Sequence, residues 1–174
     1  MKYFIVIAYF FCYCVAGQEA NNALKNNSIK ANFSMKIIEA YEENSFSKVK
    51  DFYEYLEIYA DEDASDALKS QVQENIYALF NNNVTVSGFF NQDKITLDQL
   101  LERIKSKGLK FTVKDIQKET TSSNFWTTSY TLEITGKNKT EQKKIKQKIY
   151  FYPEEKSFGD KKKEVWQLFL GEIN

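Results

Sequence analysis

From Met35 to Tyr59, apolar side chains return every three or four positions: Ile37, Ile38 and Tyr41, then Phe46, Val49, Phe52, Tyr53, Leu56 and Tyr59. That period predicts amphipathic helix with a wide buried stripe, which Asn44-Ser45 either splits in two or kinks. An acidic turn, Asp61-Glu62-Asp63, precedes a second stripe of Leu68, Val72, Ile76, Leu79 and Phe80. Asp63 or Ser65 is placed to cap this helix, and Asn81-Asn82-Asn83 ends it. Val84 to Phe90 reads as a strand. Thr96-Leu97-Asp98-Gln99 is a capping box: the threonine hydroxyl accepts from the Gln99 amide while the Gln99 side chain reaches back. Leu97, Leu100, Leu101 and Ile104 form the buried face of this third helix, and Gly108 is its left-handed stop.

After Gly108 the period drops to two. Leu109, Phe111 and Val113 alternate with Lys110, Thr112 and Lys114, and Trp126, Thr128, Tyr130, Leu132 and Ile134 alternate with polar residues. Ile145, Gln147, Ile149 and Phe151 alternate with lysines at 144, 146 and 148. Pro153 to Asp160 reads as a loop, and Val165 to Ile173 as a last strand, apolar on both faces and so expected to be central or covered on both sides. Helices followed by a four-stranded antiparallel meander make an α+β domain over residues 35–174.

The N-terminus has a different pattern. Lys2 is followed by an apolar run from Tyr3 to Val15, small Ala16-Gly17, and an abrupt polar turn at Gln18. These are the three zones of a secretory signal peptide, assigned to residues 1–17, with a polar Asn-rich leader over 18–34. The run is short for a membrane span, which needs about 20 residues. An uncleaved anchor and a lipidated Cys14 are the competing readings, although Tyr13 before Cys14 departs from the small residue a lipidation site carries. An exported chain is expected in the periplasm or outside the cell, and on a membrane only if lipidated.

Composition then narrows the chemistry. The 174 residues hold 24 Lys+Arg, 24 Asp+Glu and no histidine. Without imidazole there is no Ser-His-Asp or Cys-His nucleophile and no histidine metal site. Both cysteines, Cys12 and Cys14, lie in the signal and leave with it. Balanced charge argues against a nucleic-acid partner. Counting calcium-loop positions from Asp61 puts Asp66 where glycine is needed and Val72 where glutamate is needed, so no metal site is read there. No cofactor is expected. The lysine runs around residues 143–148 and 161–163 read as solvated strand edges, and sequons stand at Asn26, Asn32, Asn83 and Asn138.

The order of elements in VKDFYEYLEIYADED, LKSQVQENIYALFNNNVTVSGFF, ITLDQLLERIKSKG and EVWQLFLGEI resembles the nuclear transport factor 2-like superfamily, also called SnoaL-like or cystatin-like cone folds, over roughly residues 35–174. The resemblance is one of topology. It implies N-terminal helices packed on a curved, mostly antiparallel sheet of four to five strands, a pocket at the mouth of the cone, and an outer sheet face that often builds a dimer. Family catalysts use an Asp, His or Tyr inside the cone, and the versions that depend on His are out of reach here.

Candidate sites follow from rings, which supply 16% of the chain with 14 Phe and 11 Tyr. Trp126 and Tyr130, each an apolar ring with a polar tip, suit a pocket that orients a small apolar ligand, joined by Tyr53 and Phe111. The bland alternative is that the same rings are simply core. Among carboxylates Asp115 continues the Leu109, Phe111, Val113 series and is the candidate base, unless a bulge at Ile116 turns it to water. The expected function is therefore an exported, non-catalytic module that binds a small ligand or a protein, with a homodimer through Trp166, Tyr150 and Tyr152. A SnoaL-like isomerase or hydrolase and a structural envelope lipoprotein are the alternatives.

Overall fold

A computed structural model describes residues 33–81, 84–87, 89 and 94–174. The expected signal peptide, both cysteines, most of the expected leader and the sequons at Asn26, Asn32 and Asn83 lie outside them. Three helices, α1 (Met35–Ala60), α2 (Asp66–Ala78) and α3 (Leu97–Ile104), pack on a curved, unclosed sheet. Its strands are β1 (Thr85–Val86), β2 (Ile95–Thr96), β3 (Lys110–Thr121), β4 (Phe125–Thr135), β5 (Thr140–Phe158) and β6 (Lys161–Ile173), in the order β2-β1-β6-β5-β4-β3. Among the described residues, no helix is long and apolar enough to cross a membrane.

α1 is one unbroken helix of 26 residues, so Asn44-Ser45 does not split it. Ser45 is fully buried there, and its hydroxyl donates to the Glu42 carbonyl at 2.6 Å, satisfying within the helix the group that would otherwise break it. Val49, Phe52 and Leu56 are fully excluded from water, each burial contributing about 1.5–3 kcal/mol. Of the two caps foreseen for α2, Ser65 is the one used, its hydroxyl accepting from the Leu68 amide at 3.3 Å. The capping box of α3 forms as read, with 3.2 Å and 3.0 Å for its two bonds. Gly108 follows at φ +60° and donates its amide to the Ala60 carbonyl at 2.7 Å, tying the end of α3 to the end of α1.

The sheet has six strands where four or five were expected, and it is mixed. Among the described residues of the stretch 84–90, Thr85–Val86 is strand, and it runs parallel to β6, with Val86 opposite Ile173. Pro153 to Asp160 is not a loop. β5 continues through Pro153 to Phe158 and β6 begins at Lys161, leaving Gly159-Asp160 as the turn, with Gly159 at φ +63°. Proline is tolerated because β4 stops pairing at Phe125 opposite Tyr150, so β5 is an edge strand beyond that point and Pro153 needs no donor. Past β4, β5 and β6 therefore run on as a two-stranded arm. Glu155 faces Glu164 and Lys156 faces Lys163 across it, pairings that oppose the ladder, relieved by the Lys162–Glu155 ion pair at 2.7 Å.

The helices cover one face of the sheet. On β4 the even-numbered side chains from Trp126 to Ile134 are buried against them and the odd-numbered ones are half-buried on the other face. Nothing among the described residues covers that outer face. β6 is interior to the sheet, between β1 and β5, but its outer face is not covered, and Gln167, Phe169 and Glu172 stay half-buried.

Candidate functional site

Inside the curve, α1, β3 and β4 bring Tyr53, Phe111 and Tyr130 together around Phe89. Tyr53 stacks on Phe89 with centroids 6.1 Å apart, meets Phe111 at 6.1 Å, and stands edge-on to Tyr130 at 5.8 Å. The hydroxyls of Tyr53 and Tyr130 are 2.9 Å apart. Tyr130 donates to Gln147 Oε1 at 2.9 Å, so Tyr53 is the donor to Tyr130, and Gln147 Nε2 reaches the Gly171 carbonyl at 3.5 Å. Trp126, on the same face as Tyr130, is fully buried, donates its indole N–H to Ser45 at 3.3 Å and lies 6.2 Å from Phe151.

This is an interior closed by its own rings. Tyr53 is 1% exposed and Tyr130 3%. Burial pushes both phenols well above the ordinary tyrosine value, which keeps them neutral donors. The recess nearest the cluster, about 200 Å³ between Lys50 and Glu54 of α1 and Val113 of β3, stops at the edges of Tyr53 and Phe111. Thr128, between Trp126 and Tyr130 on β4, is fully buried and its hydroxyl has no partner.

Asp115 does not join this group. The pairing of β3 with β4 shifts between Lys114 and Gln117, and Asp115 stands in that bulge at φ +54°, exposed to solvent. The bulge re-aims it, as the neighbouring Ile116 hinted, and the alternation that pointed Asp115 inward ends at Val113. The carboxylate-base reading thereby loses its residue.

The outer face carries a second group of rings. Phe125, Tyr150 and Phe169 stand directly opposite one another on β4, β5 and β6. Phe125 and Tyr150 are 5.8 Å apart, and Tyr152 stacks parallel on Tyr150 at 5.6 Å. Tyr150 lies across Gly171, where an added Cβ would come within 2.5 Å of its ring, so only glycine leaves room for it. Its hydroxyl donates to both carboxylate oxygens of Glu172, at 2.9 and 3.2 Å. Burial, the bond to Glu172 and that residue's charge push the Tyr150 phenol up to about 12. Partial burial raises the Glu172 carboxyl, but its own backbone, Tyr150 and Lys148 together outweigh that and leave it below the usual range.

Around these rings the face neutralises itself. Lys114 pairs with Glu133 at 2.9 Å, Lys146 with Glu119 at 2.9 Å and Lys148 with Glu172 at 3.7 Å. Lys148 also lies 5.5 Å over the Phe125 ring. Of the three residues foreseen for a sheet-face contact, Tyr150 and Tyr152 are on this face. Trp166 is on the other: it shares its side of β6 with Leu168 and packs on Phe151 at 4.7 Å and Phe33 at 5.3 Å. Phe125, Phe169, Gly171 and Glu172 were not singled out in the sequence. The signal for them was a glycine inside a strand, which marks close approach of another group.

No protein-family model matches the chain, and no curated protein matches its sequence.

Proposed function

We propose that the chain is an exported, non-catalytic domain of the nuclear transport factor 2-like cone type, working in the cell envelope as a protein-interaction module whose partner is a second copy of itself. One observation carries the reading: Phe125, Tyr150 and Phe169 are in direct register across three strands of an uncovered face, while the inward rings are already satisfied by one another. Four long strands at a spacing of about 4.8 Å, with roughly 11 residues each at about 3.3 Å rise, span roughly 700 Å². A standard interface buries about 800 Å² per partner. A two-fold contact sets a patch against itself, which suits a face whose lysines and glutamates are already paired. The cone assignment is supported by the helix order and the curved, unclosed sheet, and export by the zones of residues 1–17.

Sedimentation of the secreted chain over a concentration series tests this. Wild type is expected to form a dimer. Tyr152→Glu with Phe169→Glu, two half-exposed positions, is expected to give a monomer with unchanged far-ultraviolet circular dichroism. A wild type that stays monomeric at its highest soluble concentration, or a dimer indifferent to both charges, refutes the proposal. The mass of the secreted chain tests export separately, since it should begin near Gln18 without an acyl group.

A further inference from the structure

A second recess opens away from the sheet face, where the end of α2 meets the start of α3. It measures about 350 Å³ and is lined by Tyr77, Phe80, Asn81, Val84, Leu97 and Asp98, with Thr96 at its rim. That volume is in the range of small-ligand sites, roughly 300–1,000 Å³. The wall combines two rings, two aliphatic side chains and one full negative charge, and none of its described residues is basic. Asp98 accepts a hydrogen bond from the Tyr77 hydroxyl, which Gln73 holds in place by donating from Nε2 at 3.0 Å. Among the described residues Asp98 has no ion pair. Glu172 on the sheet face, by contrast, has Lys148 beside it as well as the Tyr150 phenol.

We propose that this recess is a binding site for a small organic ammonium ion, with Asp98 as the counter-charge and Tyr77 and Phe80 as the aromatic wall. The chemistry points one way. A carboxylate facing a partly apolar recess repels anions and gains little from a neutral ligand. A cation beside it gains the ion pair and, over a ring face, a further attraction of about 0.5–2 kcal/mol. The positive end of α3 opposes a cation with roughly half a charge, less than the whole charge of Asp98. The Tyr77 hydroxyl donates to one oxygen of Asp98, Oδ1, while among the described residues no hydrogen-bond partner holds the other oxygen. A narrower recess of about 140 Å³ shares Asn81 and Val84 with this one and ends at Tyr150, Tyr152 and Glu172. Glu172 there is already matched by Lys148, so Asp98 is the anchor.

Three probes of one shape decide it: phenethylammonium, the neutral 2-phenylethanol and the anionic phenylacetate, titrated by calorimetry into the full secreted chain. Phenethylammonium is expected to bind saturably and about tenfold or more tighter than either analogue. Asp98→Asn is expected to cost about tenfold or more of that affinity. Tyr77→Phe, which keeps the ring and frees the carboxylate, is expected to hold it within about threefold. Asp98 is exposed and neither change touches the Thr96–Gln99 capping box, so circular dichroism should match wild type, with melting lowered only slightly by loss of the acidic residue from the first turn of α3 or of its bond to Tyr77. Equal binding of the three probes, no binding of any, tighter binding of phenylacetate, or full affinity in Asp98→Asn overturns the proposal. The sheet-face variant Tyr152→Glu with Phe169→Glu is expected to bind phenethylammonium normally, which separates this site from the dimer contact.

Discussion

Tyr130→Phe removes one oxygen and should be among the costliest single-atom changes in the molecule. The ring remains, so no cavity opens beyond the hydroxyl. What is lost is the junction of a buried chain: the bond to Tyr53 at 2.9 Å and the bond to Gln147 at 2.9 Å. Both remaining groups are then stranded, since Tyr53 is 1% and Gln147 0% exposed and neither reaches water. A net hydrogen bond contributes about 0.5–1.5 kcal/mol, and a buried group left without a partner costs about 1–3 kcal/mol. The expected destabilisation is about 2–4 kcal/mol. Tyr53→Phe is different, because Tyr130 keeps its bond to Gln147 and only the outer link goes, for about 1 kcal/mol. The double variant no longer strands the Tyr53 hydroxyl, so it should cost less than the sum by about 1 kcal/mol. Urea unfolding followed by tryptophan fluorescence, with Trp126 buried as the reporter, measures all three. If Tyr53→Phe costs as much as Tyr130→Phe, or if Tyr130→Phe costs under about 0.5 kcal/mol, the chain of donors described here does not hold the core.

Thr128→Val replaces a fully buried, unpartnered hydroxyl by a methyl of the same shape and is expected to stabilise by about 1 kcal/mol in the same assay; a loss of stability would mean that the hydroxyl has a partner. Asp115→Gly should be neutral or stabilise by up to about 1 kcal/mol, because φ +54° suits glycine, whereas Asp115→Val should destabilise by about 1–2 kcal/mol; equal melting temperatures would deny the bulge. Alkaline pH should unfold the protein. Tyr53, Tyr77, Tyr130, Tyr150 and Tyr152 all hold their protons more tightly when folded, so their contribution is whole below about pH 10 and is lost as pH rises through the folded values, that of Tyr150 near 12. Phenolate absorbance should therefore rise in two steps, the later one coinciding with loss of circular dichroism. A single step for all the tyrosines beyond residue 17, with secondary structure intact, contradicts this.

Local chemistry was the legible part of the sequence. The Thr96–Gln99 box and the inward parity of Trp126, Tyr130 and Phe111 depend on near neighbours, and they stand where the pattern put them, whereas α3 ends at Ile104 with Lys105 as its C-cap, four residues short of the stop expected at Gly108. What failed depended on distant partners. Pro153 reads as a strand breaker until β4 is known to end at Phe125. The two-residue strand β1 adds to the edge that β6 offers and β2 in turn pairs with β1, and no periodicity can develop over two residues. Asp115 was assigned by extending an alternation across a bulge whose position is set by the partner strand. Phe125 and Phe169 escaped notice for a related reason: they are far from Tyr150 in the chain and join it as a patch only through register. The Tyr77–Asp98 recess joins two helices and left no trace in spacing at all.

The hairpin extension beyond β4 has a consequence for how the molecule meets electrolyte. In the body of the sheet, ions of opposite sign hold hands across strands, and salt weakens them. In the extension, Glu155 confronts Glu164 and Lys156 confronts Lys163, and there the same screening removes a penalty. As the Debye length shrinks from about 10 Å at 0.1 M to about 3 Å at 1 M, the two halves of one continuous ribbon should move in opposite directions, the root loosening while the tip firms.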